Sequence, residues 1–208
     1  IEFGGFYNKP RFFQNILDEV NIYSKINPNT NSQFQIGYLL KRNPNNNKTN
    51  LYYVSANRKF FNKINVKAEY ALSNNENSNG KAMQVEAFAY FSRMNASVSY
   101  VYASPTFKGY FSNSEFLTAS LNYQISTKLN LAVNYQKDAR NFERDTLYGV
   151  APYRENFQMG FRYNYIKNGS ISMFSGIQEF EDRMDIKQFF YNEKFYRIEF
   201  FQQINRFT

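Results

Sequence analysis

Apolar and polar residues alternate along most of this chain. Ile64, Val66, Ala68, Tyr70 and Leu72 are interleaved with Asn65, Lys67, Glu69 and Ala71. Leu117, Ala119, Leu121, Tyr123 and Ile125 alternate with Thr118, Ser120, Asn122 and Gln124. Leu129, Leu131, Val133 and Tyr135 follow the same rule, as do Phe157, Met159, Phe161, Tyr163 and Tyr165. Successive side chains of a strand point to opposite faces, so each segment carries one apolar and one polar face. No stretch of comparable length keeps a 3.6-residue period. The pattern predicts strands over 12–25, 33–41, 50–59, 64–73, 81–93, 96–104, 115–126, 129–138, 154–166, 170–180 and 194–207, with a truncated strand over 1–7. Most exceed the ~5–6 residues usual in globular sheets and match the ~9–11 that a tilted strand needs to cross a bilayer.

The connections alternate in length. Phe60–Lys63, Met94–Asn95, Thr127–Lys128 and Lys167–Gly169 are short. Arg42–Thr49, Asn74–Gly80, Pro105–Ser114, Ala139–Tyr153 and Glu181–Glu193 are long. An up-and-down meander with tight turns at one rim and loops at the other has this rhythm, as in outer-membrane barrels with short periplasmic turns and longer extracellular loops. The expected fold is all-β: an antiparallel up-and-down transmembrane β-barrel of about 12 strands. No linker or shift in composition divides residues 1–208, so a single domain is expected, either a whole barrel or the carboxy-terminal part of a larger one.

Alternation leaves open which face points inward, because a soluble sandwich or lipocalin-like protein also alternates. Size favours apolar outward: a barrel of about eight strands is just filled by its side chains, and a wider one with an apolar interior would enclose a dry void. The polar face is mostly Asn, Gln, Ser, Thr, Gly and Ala, with Lys41, Lys67, Glu69, Glu86, Arg162, Arg197 and Glu199 as charges of both signs. These seven are the expected lumen residues, and four cations against three carboxylates predict a weak preference for anions. Tyr70, Tyr123, Tyr135, Tyr163 and Tyr165 lie near predicted strand ends, where an interfacial girdle of aromatics would sit.

Composition narrows the function classes. Aromatics are 20% of 208 residues, far too many for a disordered chain. No run approaches the ~18–20 apolar residues of a spanning helix. The absence of Cys removes disulfide scaffolds, zinc ribbons and Cys nucleophiles, and the absence of His removes the commonest general base and metal ligand. The net charge is +8. Lys25, Arg58, Lys59, Lys63, Arg93, Lys128, Lys167 and Arg206 lie at or beside the short turns and the end of the last strand, with no carboxylate at the short turns, and without these eight the charges balance. A basic collar at the periplasmic rim is expected, facing lipid phosphates or an acidic partner. The cations sit at turns rather than on one sheet face, so nucleic acid is not an expected partner. Glu179, Glu181, Asp182 and Asp185 lack calcium-loop spacing and read as a solvated loop. No cofactor or metal is expected. Gly160 reads as a bulge or a site of close approach.

In this alternation, its loop rhythm and its texture of 29 Asn, 18 Tyr and 23 Phe, the chain resembles bacterial outer-membrane β-barrels, with the flavour of those of the Bacteroidota. Such barrels tend to close with a strand ending in an aromatic residue. Phe207, after Phe195, Phe200 and Phe201, is similar, although Thr208 follows it. The resemblance implies location in the bacterial outer membrane, with lipid as the main partner and other outer-membrane or periplasmic proteins as further ones. Barrel enzymes of this kind depend on Ser–His–Asn or Asp–His arrangements that a chain without His lacks, so a non-enzymatic role is expected. Two roles compete: a pore for small polar or anionic solutes, and a structural subunit of a transport, assembly or secretion complex or of a larger barrel. The chain opens at Ile1 inside extended sequence, which fits either a removed leader or a piece of a longer chain.

Overall fold

The structure is a computed structural model that describes residues 1–8, 17–42, 47–76 and 78–203. Twelve strands form one antiparallel sheet in which every strand pairs with its sequence neighbours. They are β1 (Glu2–Asn8), β2 (Asp18–Asn29), β3 (Ser32–Arg42), β4 (Lys48–Phe60), β5 (Ile64–Asn75) and β6 (Ser78–Phe91), followed by β7 (Met94–Ala103), β8 (Ser114–Gln124), β9 (Leu129–Arg140), β10 (Pro152–Ile166), β11 (Gly169–Asp182) and β12 (Phe190–Gln202). A short 3-10 turn at Thr146–Tyr148 lies between β9 and β10. The period-two segments therefore fold as strands, and the up-and-down order follows from the hairpin rhythm. Among the described residues β1 and β12 share no ladder, so the sheet has two edges.

The register sorts the side chains into two faces. Leu131 pairs with Tyr123 and Phe161, and Asn134 with Ser120 and Gln158, so apolar meets apolar and polar meets polar across three strands. A slip of one residue would turn every apolar side chain to the wrong face, so the alternation itself pins the pairing. The polar face is concave. Asn21, Gln35, Lys41, Tyr53 and Glu69 from β2 to β5 line one cavity, and Asn122, Asn130, Arg162, Ser172 and Glu199 from β8 to β12 line another. The apolar face is exposed: Ile36 is 64% exposed, Val54 50%, Met173 56% and Phe200 76%.

The loop between β7 and β8 shows how strongly the sheet curls. Tyr110 in that loop donates its hydroxyl to Glu19 on β2, 3.1 Å away. In a flat sheet those strands would stand about 24 Å apart, which is roughly the full stretch of the seven residues from Ala103 to Tyr110. The loop is turned back on itself by the Phe107 N–H donating to the Ser104 carbonyl, so only a curled sheet brings the two together.

Several boundaries differ from the sequence expectation. The long loop expected over 74–80 is a tight hairpin instead, with β5 running to Asn75 and β6 starting at Ser78. The Asn75 side chain accepts both the N–H and the hydroxyl of Ser78, a side-chain bond across the turn that lets the strands run on. The first expected strand, 12–25, is displaced to Asp18–Asn29, and positions 12–16 lie outside the described residues. The last, 194–207, runs from Phe190 to Gln202, and 204–207 lie outside them. The expected truncated strand at 1–7 is a paired strand, β1. Gly160 is not a bulge but a close approach. Its register partner Phe174 lays its ring where a Cβ would stand. Gly4 beneath Tyr23, Gly37 beneath Tyr53 and Gly176 beneath Phe195 repeat the arrangement.

Candidate functional site: the concave face and its two rims

All seven expected lumen residues lie on the concave face. Lys67 stands directly opposite Glu86, and Glu69 opposite Gln84, whose amide donates to Glu86 at 2.7 Å. Arg162 pairs with Ser172, which pairs with Glu199, and the Arg197 Nε lies 3.0 Å from the Glu199 carboxylate. The charges therefore form two groups, Lys67, Glu69 and Glu86 on β5–β6 and Arg162, Arg197 and Glu199 on β10–β12. Lys41 stands apart at the loop end of β3, opposite Glu19.

The face carries further charges outside those seven. Arg140 and Asp138 on β9, Arg154 on β10 and Glu193 on β12 share it, as do Glu2, Glu19, Lys25 and Lys59. Among the described residues of the strands this gives eight cations and eight carboxylates on the concave side, and one of the carboxylates, Asp182 at the loop end of β11, is fully buried, so seven face the lumen. Three of the guanidinium groups stack on inward rings: Arg197 over Phe174 at 4.7 Å, Arg154 over Phe180 at 5.1 Å and Arg140 over Phe116 at 5.6 Å. Such stacking holds a planar cation over an aromatic ring while leaving its edge free for hydrogen bonds. Strands drawn two residues longer at their loop ends would have found Arg140 and Glu193 in the sequence. Nothing in the periodicity points to Tyr110, because its role depends on where a loop lands.

That loop, 104–113, folds over the concave face. Phe107 is buried with Leu39, Leu51 and Ala103, and Ala71 and Ala82 pack against them. The Lys108 N–H donates to the Ser73 hydroxyl at 3.1 Å, and the Thr106 hydroxyl donates to the Asn79 carbonyl at 2.5 Å. Gly80 has no Cβ where the Phe107 backbone crosses, and any side chain there would collide with it. The short 74–80 hairpin thus clears the rim and the next loop occupies the space above it. Burial of the Tyr110 phenol, then the charge of Glu19, pushes its pKa above the ordinary value.

On the convex face the apolar rows end at a ring of charge at the loop rim. Leu117 is followed by Glu115, Tyr135 by Lys137, Phe157 by Glu155, Ile177 by Glu179 and Leu40 by Arg42. Lys137 bonds Glu115 at 2.9 Å, and Arg42 bonds Asp18 through two nitrogens. Tyrosines just below donate upward into this ring: Tyr7 to Asp18 at 3.3 Å, Tyr38 to Asn50 at 2.6 Å, Tyr100 to Glu115 at 3.4 Å and Tyr135 to Glu155 at 3.0 Å. A ring that is apolar below and hydrogen-bonded above suits a boundary between hydrocarbon and water. Of the expected girdle, Tyr135 belongs to this set, and Tyr70, Tyr123 and Tyr163 lie in the apolar rows beneath it. Four outward rows on β9, from Leu129 to Tyr135, measure roughly 20 Å along the strand.

The expected solvated acidic loop holds only in part: Asp185 is exposed, but Glu181 and Asp182 at the end of β11 are buried. Asp182 is fully buried and accepts the N–H groups of Ala151 at 2.8 Å, Met184 at 3.1 Å and Gln188 at 3.2 Å. Glu181 takes Arg183 at 2.7 Å and Lys187 at 2.6 Å. Asn141, buried and at φ 50°, bonds Asn113, the Asp145 carbonyl and the Val150 carbonyl. These side chains knit the β7–β8, β9–β10 and β11–β12 loops together. Among the described residues no cluster of three or more potential metal ligands occurs.

At the turn rim, Lys63 reaches to 5.6 Å over Phe91, and Arg58 to 4.9 Å over Phe60. Arg93, Lys128 and Lys167 lie in the turns themselves. Lys25 and Lys59 share the inward face instead, and the Lys25 Nζ lies 3.8 Å from Glu2. That rim therefore also holds a carboxylate, and its excess of cations is smaller than the sequence suggests. Arg206 lies outside the described residues.

No protein-family model matches the chain, and comparison with curated proteins finds no match. Among solved structures it is similar to the KdgM porin in complex with disordered oligogalacturonate, at 9% identity and a TM-score of 0.36, over 98% of this chain and 97% of that one. It is similar to the NanC porin at 11% identity and a TM-score of 0.37, over 97% and 98%. Acinetobacter baumannii OccAB2 aligns at 7% identity and a TM-score of 0.43, over 90% of this chain and 55% of that one. Identities this low and superpositions this loose leave the function to be argued from the residues.

Proposed function

We propose that the chain crosses a bacterial outer membrane as a β-barrel, closing β1 on β12, and passes small polar solutes with a weak preference for anions. The observation that carries this reading is the division of the sheet into a bare apolar convex face and a charged, amide-rich concave face. In water so large an apolar surface would drive association. In a bilayer it is the surface required, and only a sheet without edges satisfies its backbone there. Twelve strands leave room inside for a wet lumen, where eight cations face seven carboxylates once the fully buried Asp182 is set aside. Planar-bilayer recording of the purified chain tests it. Stable conductance with reversal potentials displaced slightly toward the anion is expected. Absence of conductance, or strong cation selectivity, would overturn the pore reading.

The unpaired edges favour a second reading, in which the chain is a sector or subunit of a larger barrel. Closure separates the two. Outward-facing Phe3 and Phe200, or Phe3 and Ile198, changed to Cys should form a disulfide within one chain if β1 meets β12, since bridged strands bring Cα atoms to about 4.4–6.8 Å. Cross-linking only between chains would favour the subunit.

A further inference from the structure

We infer that Lys41, beneath the tip of loop 104–113, is a binding site for a small monoanionic carboxylate. Lys41 is 3% exposed, and its Nζ has no hydrogen-bond partner among the described residues. The ammonium instead faces the Tyr110 ring, 3.7 Å from its centroid. Its register neighbour Glu19 has both oxygens engaged, one by the Asn8 amide at 3.0 Å and the other by the Tyr110 hydroxyl at 3.1 Å. A buried ammonium with three donors and only a ring to face is incompletely satisfied, and an arriving anion supplies what it lacks.

The surroundings select the anion. Lys41 borders a cavity of about 410 Å³ and is the cation of its lining. Asn21 and Gln35 offer amides on one side, and Leu39, Phe107 and Phe111 offer apolar surface on the other. Glu19 and Glu69 stand near the single ammonium and repel added negative charge, so an anion held by that ammonium is limited to one charge, which disfavours phosphate dianions. A compact carboxylate with an apolar body fits the charge and the mixed lining. The Tyr110 ring occupies the ammonium when the site is empty, so binding requires that ring to move aside. The site rests on the concave face being accessible, but not on conduction.

Titration calorimetry of the purified, detergent-solubilised chain with sodium benzoate, against benzyl alcohol as an uncharged aromatic analogue, tests this directly. Benzoate is expected to bind about tenfold or more tightly than the alcohol, the scale of a charge-assisted hydrogen bond. Lys41→Gln should erase that difference and Lys41→Arg should keep it. Tyr110→Ala should bind benzoate at least as tightly as the unaltered chain, because the competing ring is gone. Equal binding of benzoate and benzyl alcohol by the unaltered chain would overturn the site without any variant, as would an unchanged preference in Lys41→Gln. A chain that binds benzoate through Lys41 yet conducts nothing would keep the site and reject the pore.

Discussion

The two rims of the sheet are built from the same strands and finish in opposite ways. At the loop rim the strands end in carboxylates and cations that bond one another, tyrosines donate into them, and the loops above are tied by Asn141 and Asp182. At the turn rim the strands close in a few residues, and the outward cations meet aromatic rings rather than carboxylates. One end of the apolar band is therefore held by directed hydrogen bonds. The other is bounded by long flexible cations that can reach for headgroups, which is how Lys and Arg snorkel. The loop rim thus fixes the depth of the band, and the turn rim adapts to what lies beneath it.

Four perturbations sharpen that contrast, in order of expected size. A charge placed inside the band should cost most. Val133→Arg is expected to destabilise the protein in vesicles by about 2–4 kcal/mol, whereas Asn134→Arg, one residue away on the concave face, should change it by less than about 0.5 kcal/mol. Urea titration in liposomes measures both. Next is Asp182→Ala, which leaves three N–H groups, that of Ala151 buried, without their acceptor. Trypsin should then cut faster after Arg144 and Arg183 in the loops, with cleavage after Lys63 at the opposite rim unchanged.

A smaller loss is expected from Tyr135→Phe, which keeps the ring and deletes one hydrogen bond to Glu155, about 1 kcal/mol. Smallest is Lys128→Glu at the turn rim, about 1 kcal/mol or less on anionic vesicles in low salt, vanishing as salt is raised. Salt-insensitive binding of that variant would remove the electrostatic role of the turn rim.

Much of this architecture was legible in the sequence because it depends on a local rule. Leu131, Val133 and Phe161 alternate with Ala132, Asn134 and Arg162, and the period of a strand converts that alternation into faces whatever the rest of the chain does. The same rule placed Lys67, Glu86 and Arg197 on one side of the sheet. What escaped depended on meetings between distant segments. Residues 74–80, rich in Asn and Ser, have the composition of a loop, yet the bond from Ser78 to the Asn75 side chain lets the strands continue to a tight turn. The acidic run at 179–185 has the composition of a solvated loop, but the backbone of Ala151, Met184 and Gln188 converges on Asp182 and buries it. Tyr110 and Lys41 are 69 positions apart, and only the curl of the sheet brings them together. Lys25 reads as a rim cation until β1 pairs alongside and places Glu2 opposite it.

In the proposed barrel the apolar face meets lipid and the polar face meets water. Single cysteines placed along β9, a strand flanked on both sides, test it most directly. With the protein in liposomes, a label confined to the hydrocarbon should modify Cys substituted at Leu131 and Val133 and spare Asn130 and Asn134, while a water-soluble label does the reverse. Hydrocarbon labelling at Asn134 with none at Val133 would invert the faces and overturn the proposed orientation.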